Sequence, residues 1–127
     1  FFVRGRQPVQ VHIRQRFHTP EQVSRIIVRV HNAVLGPDDG VENVFAVSTD
    51  GSTPIASATV RPRQGGWFGI TELKVESPAL LRDATGGFYL HITLKNSAGG
   101  SEAPSNILGA IEVEAVPASA TTRLAAR

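Results

Sequence analysis

The chain contains no cysteine. That absence excludes disulfide-stapled scaffolds, thiolate zinc sites and cysteine nucleophiles together. It leaves the compartment open, because a secreted domain with an adequate core needs no disulfide. Long apolar runs are missing as well, and no segment approaches the roughly 20 unbroken apolar residues of a membrane helix. Lysine is scarce: arginine outnumbers it by 11 to 2. The basic excess stands early, at Arg4, Arg6, Arg14, Arg16, Arg25 and Arg29, with only Glu21 opposing it ahead of Asn32. A nucleic-acid-binding surface carries a denser basic stripe with interleaved aromatics, so these arginines read as solvated strand faces and no nucleic-acid partner is expected. No signal peptide is visible. The opening Phe1-Phe2 reads as the start of an excised fragment, which leaves targeting open.

The motifs of common chemistries are absent too. No Gly-x-Ser-x-Gly elbow, phosphate loop or dinucleotide fingerprint occurs, and the glycine pairs lack the helix start that would cradle an anion. His12, His18, His31 and His91 never fall at the three-or-four-residue spacing of a helical zinc pair. Asp38-Asp39-Gly40 supplies too few oxygens for a calcium loop. Glu72 with Glu76, and Glu112 with Glu114, read as polar strand positions rather than a glycosidase pair. Asn32, Asn43, Asn96 and Asn106 all miss the glycan-acceptor pattern. No acid, base and nucleophile converge, so the chain reads as non-catalytic, with no metal and no cofactor.

What is present is alternation. The 127 residues are 41% apolar and 19% charged, which suits one globular domain rather than a disordered chain. Eight prolines and the pairs Gly65-Gly66, Gly86-Gly87 and Gly99-Gly100 leave little room for long helices. Between them lie period-two segments. In 88–95, Phe88, Leu90, Ile92 and Leu94 share one face and Tyr89, His91, Thr93 and Lys95 the other. In 9–17, Val9, Val11, Ile13 and Phe17 alternate with Gln10, His12, Arg14 and Arg16. Further strands are expected at 41–48, 55–61, 67–76 and 107–116, with a turn at Asp50-Gly51.

One segment is ambiguous. Thr19-Pro20-Glu21-Gln22 resembles a helix cap, and Val23, Ile26, Ile27, Val30 and Val34 fit helical spacing. The β-branched run argues instead for a single turn at 20–22 followed by a strand over about 24–32. A second helical turn is expected at 77–82. The fold expected is all-β, an antiparallel β-sandwich, jelly-roll-like, with one or two short helical turns. Residues 1–7 form an N-terminal extension, 8–116 the sandwich, and 117–127 a flexible tail.

Trp67 and Phe68 follow the basic, glycine-ended stretch Arg61-Pro62-Arg63-Gln64-Gly65-Gly66. Adjacent strand residues point to opposite faces, so one ring lies outside if the other lies inside. An exposed ring beside arginines is a partner anchor, whereas a buried Trp67 would cap the core. Arg61, Arg63, Trp67, Phe68 and Tyr89 are therefore the candidate partner-binding residues.

The order of these segments carries a resemblance. Strand 9–17, a proline break and a second strand to His31 are followed by Val44-Phe45-Ala46-Val47. Then come Gly66-Trp67-Phe68-Gly69-Ile70-Thr71-Glu72-Leu73-Lys74-Val75, Pro78-Ala79-Leu80-Leu81 and Gly87-Phe88-Tyr89-Leu90-His91-Ile92-Thr93-Leu94. This resembles the arm domain of transforming-growth-factor-β family propeptides over about 8–116. The resemblance implies a secreted, non-catalytic signalling domain that assists folding of a cystine-knot growth-factor dimer and stays bound to it. The chain departs from the family in lacking the cysteines that join propeptides and an Arg-Gly-Asp motif. Bacterial surface modules show a similar strand order, and the alternative is an adhesion or carbohydrate-binding module in which Trp67 or Tyr89 stacks on a sugar. A third reading is an assembly domain whose sheet edge pairs with a neighbour, as in a homodimer.

Overall fold

The structure is a computed structural model that describes residues 2–4, 9–18, 23–37, 40–76, 87–96 and 105–117. Eight strands form in chain order: β1 (Phe2–Arg4), β2 (Val9–His18), β3 (Val23–Leu35), β4 (Val41–Ser48), β5 (Pro54–Val60), β6 (Gly66–Val75), β7 (Gly87–Asn96) and β8 (Ser105–Pro117). They make two four-stranded antiparallel sheets of order β1-β8-β3-β6 and β2-β7-β4-β5. Neighbours far apart in sequence are adjacent in space, which is the strand order of a jelly-roll sandwich. No helix occurs among the described residues. The helical turns expected at 20–22 and 77–82, and the tail beyond Pro117, lie outside them.

Alternation builds the core. Phe88, Leu90, Ile92 and Leu94 of β7 are all buried, as are Phe45 and Val47 of β4, and they face Ile26, Val28, Val30, Leu73 and Val75 of the opposite sheet. β3 is a strand, not a helix. Its helical appearance came from adjacent apolar residues, and Ile27 explains it. Ile27 points to the outer face, level with Lys74 and Glu114, yet is only 5% exposed. An inner strand can keep an outward aliphatic side chain covered by the stems of long charged neighbours. The residues read as an N-terminal extension contribute β1, which pairs Phe2 with Ile107 and Arg4 with Ser105.

A polar layer interrupts the core. Along β3 the inward residues run Val30, Asn32, Val34, and along β4 they run Phe45, Asn43, Val41. All six are buried. Asn32 Nδ2 donates to Thr71 Oγ1 at 2.9 Å and to the Val30 carbonyl at 3.0 Å. Asn43 Nδ2 donates to Asn32 Oδ1 at 3.1 Å. Asn106 Nδ2 donates to Asn43 Oδ1 at 2.9 Å and also reaches the carbonyls of Glu42 (3.0 Å) and Lys95 (3.1 Å). The chain of amides links β6, β3, β4, β8 and β7, and so joins the two sheets. Beyond it lies a small second cluster, in which Val60 and Trp67 pack on Val34 and Val41.

Buried amides stabilise only while their donors and acceptors are matched. Asn106→Asp places a carboxylate against three oxygens in the interior. It is expected to lower the unfolding free energy by about 3–5 kcal/mol, read from urea unfolding. A loss below about 1 kcal/mol would show that the amide chain is not what holds the sheets.

Candidate functional site

β5 belongs to one sheet and β6 to the other, so the segment between them crosses the end of the sandwich. It closes with a two-residue turn in which Gln64 (φ 54°) and Gly65 (φ 87°) both adopt left-handed backbone. Positive φ at both central positions is the signature of a type I′ turn, which glycine accommodates without strain. Arg63 and Gly66 exchange backbone hydrogen bonds of 3.3 and 3.2 Å across it, and Gly36 N–H holds the Gly65 carbonyl at 2.8 Å. Beside this turn is an open cavity of about 470 Å³ lined by Thr59, Val60, Arg61, Pro62, Arg63 and Trp67. Three of the five residues singled out from the sequence, Arg61, Arg63 and Trp67, therefore meet there.

Trp67 is half-buried, level with Val34 on β3 and packed on the small apolar cluster. Gly69, two residues on along the same face, makes room for it: a Cβ there would lie 3.0 Å from the indole Cζ2. Arg61 Nε donates to Glu42 Oε2 at 3.0 Å, and Lys95 shares the same carboxylate at 3.3 Å. Arg63 makes no ion pair among the described residues, so its guanidinium borders the cavity without an internal anion.

Phe68 and Tyr89 lie elsewhere. Phe68 points away from Trp67 as alternation requires, onto the outer face of the β1-β8-β3-β6 sheet, and is 85% exposed. Ile70, Leu35 and Ile107 surround it as exposed apolar neighbours. Elsewhere on that face Arg29 pairs with Glu72 (3.1 Å) and Glu114 (3.5 Å) and Arg25 with Glu76 (3.9 Å), and His31 Nε2 lies 3.6 Å from Glu112.

Tyr89 sits half-buried on the outer face of the β2-β7-β4-β5 sheet. The guanidinium carbons of Arg14 and Arg16 lie 5.3 and 5.9 Å from its ring centroid. The register places Arg14 opposite His91 and Arg16 opposite Tyr89. His91 Nε2 is 2.7 Å from Ser48 Oγ, and His12 Nδ1 is 2.9 Å from Thr93 Oγ1. The two imidazoles are 5.7 Å apart. Burial, and then the charges of His12 and Arg14, hold the His91 imidazole below its ordinary value, with Asp50 pulling the other way. Of this group only Tyr89 was expected from the sequence; Arg14, Arg16, His12 and His91 read as a polar strand face. The detectable signal was period-two alternation on two strands, but their pairing was not legible.

The β4–β5 turn walls this face. Asp50 accepts hydrogen bonds from the backbone N–H groups of Ser52 (2.8 Å) and Thr53 (2.7 Å), and these bonds lower its carboxyl to about 2. Gly51 rests against the ring and the guanidinium, since a Cβ on it would be 3.5 Å from both Tyr89 Cε2 and Arg14.

No family model and no curated protein sequence matches the chain. Among solved structures, the fold is similar to that of TmCBM61 in complex with β-1,4-galactotriose. The TM-score is 0.54 at 16% identity, over 90% of this chain and 68% of that one. The likeness is one of fold, a β-sandwich.

Two outcomes follow from this geometry. The Asp50 carboxyl is expected to titrate near about 2, followed by its NMR shift, and a midpoint at the ordinary 3.8 would show that the turn is open. Since the folded value is depressed, the turn contributes stability above the unfolded value and loses it as pH falls towards 2. Gly69→Ala is expected to displace the indole and red-shift the emission of Trp67, the sole tryptophan. Unchanged emission would contradict the close packing.

Proposed function

We propose that the chain is a non-catalytic carbohydrate-binding domain that acts outside the cell. The observation that carries this reading is the cavity beside the β5–β6 turn, where one indole and two guanidiniums converge. Its volume falls within the range of small-ligand sites, and its lining mixes apolar surface with a few directed polar groups. The apolar C–H face of a sugar packs on an indole, and its hydroxyls accept from guanidinium N–H groups. Because Trp67 is already braced by Val34, Val41 and Gly69, little side-chain entropy remains to be lost on binding. Fold similarity to a module solved with a galacto-oligosaccharide supports the reading. Tyr89 does not serve as a bare stacking platform, since Arg14 and Arg16 already lie over its ring.

A second reading, protein docking, is favoured by one feature. Phe68 and Ile70, at 85% and 55% exposure, form with Leu35 and Ile107 an apolar patch of the kind that anchors partners. The growth-factor-propeptide role inferred from strand order would use such a patch, with Phe68 at its centre.

Titration calorimetry with a panel of neutral and acidic oligosaccharides separates the two. Saccharide binding that weakens at least about tenfold in Trp67→Ala, and is unaffected by Phe68→Ser, supports the first reading. Silence across the panel, with capture of a growth-factor dimer that Phe68→Ser abolishes, replaces it with the second.

A further inference from the structure

Four strands lie at the margins of the two sheets, and three of them carry features that discourage a further strand. β1 is three residues long. β5 opens on Pro54, and its ladder with β4 shifts at Ser48. β2 alternates its apolar residues with His12, Arg14 and Arg16. β6 is the exception. It runs for ten residues without proline, pairs with β3 from Gly66 to Val75 with no shift of register, and has no second neighbour among the described residues. Its outward side chains are Phe68, Ile70, Glu72 and Lys74, all exposed, with Phe68 almost fully so. A long, regular, partly apolar edge is a template for another strand.

We infer that β6 pairs with β6 of a second copy, antiparallel about a two-fold axis through Thr71. This goes beyond the carbohydrate reading and gives the Phe68 patch to another copy of the chain rather than to a different protein. Complementarity of the strand with itself carries it. Residues opposite each other in an antiparallel ladder share a face, so a register that keeps the outer side chains outside pairs even numbers with even. Centred on Thr71, residues 67–75 meet 75–67, nearly the whole strand. Phe68 then stands opposite Lys74 of the partner copy, and the same pair recurs across the axis. Lys74 makes no ion pair among the described residues. An ammonium is attracted to the face of an aromatic ring, and the lysine stem covers ring surface that is otherwise wet. One operation therefore gives a partner to the bare cation and to the bare ring, twice over. The remaining outward pair strands no charge. Ile70 meets Glu72 of the partner copy, whose carboxylate is already held by Arg29 at 3.1 Å, and the two Ile70 side chains are diagonal neighbours at the axis. The adjacent register, centred on Ile70, sets Phe68 against Glu72 instead, and the negative face of the ring repels a carboxylate.

The test is sedimentation equilibrium of the full chain over about 1 µM to 1 mM. A monomer–dimer equilibrium that stops at two is expected. Phe68→Lys sets cation against cation at both ends of the ladder and is expected to weaken the dimer at least about tenfold. Phe68→Glu sets an anion opposite Lys74 and is expected to keep it within about threefold of the parent. Adding Lys74→Glu to Phe68→Lys exchanges the two charges and is expected to restore it. Arg14→Gln on the other sheet is the control and leaves the equilibrium unchanged, and circular dichroism verifies the fold of each variant. A chain that stays monomeric throughout overturns the inference and leaves the edge to a different protein. Growth beyond the dimer overturns it too, because a two-fold contact closes on itself. Equal effects of lysine and glutamate at position 68, whether both weaken the dimer or neither does, place the contact elsewhere or in another register and overturn it as well.

Discussion

The molecule depends on a chain of amides sealed between two sheets. Asn32, Asn43 and Asn106 come from three strands and have buried, inward-facing side chains. Each donates to the next, with only the Asn106 Oδ1 of the three left without a partner among the described residues, so the register of β3, β4 and β8 is fixed together rather than strand by strand. An apolar interface alone lets two sheets slide past one another at modest cost, because dispersion contacts are non-directional. Hydrogen bonds of 2.9 to 3.1 Å do not slide. The layer also divides the interior. On one side lies the main core, on the other the small cluster that braces Trp67. The cavity is placed at that end of the sandwich because the amide layer ends the main core before it.

The two outer faces are charged by different rules. One combines an ion-paired lattice centred on Arg29 with an apolar patch around Phe68. The other gathers arginines and histidines around a tyrosine, with Asp50 turned to backbone N–H groups of its own turn. Exposed ion pairs contribute little to stability, so the lattice matters chiefly because it sets Arg25 and Arg29 against glutamates. The net charge of +2 is small for the chain as a whole, yet its distribution is uneven.

Much of the fold was legible because a half-buried strand writes itself as period two. β7 and β2 were readable almost to their ends, and β4 to the residue. β3 was harder, since Ile27 is apolar on the outer face and simulates a helical stripe. β1 was missed, because three residues are too few to show a period and pairing with β8 is a long-range event. The site was legible in part. Alternation separated Trp67 from Phe68, and the cavity collected Arg61 and Arg63 as the basic, glycine-ended stretch implied. Tyr89 was singled out for an open ring but carries two guanidiniums, which only the pairing of β2 with β7 could reveal. The amide chain was invisible, since asparagine in a strand pattern reads as surface until its partners are known.

Strand order has a kinetic consequence. Among the ladders of the described residues, only β4–β5 joins consecutive strands. β2 waits for β7, whose Asn96 meets Val9, and β3 gains one of its two neighbours only when Ser105–Pro117 arrives. Closing such wide loops is slow, and chains built from distant pairings fold over milliseconds to seconds rather than microseconds. Until β8 docks, Asn106 cannot reach Asn43, and the bare flank of the β-branched β3 is open to mispairing with another chain. β8, the last of the eight described strands in chain order, is thus the one that covers the flank of β3.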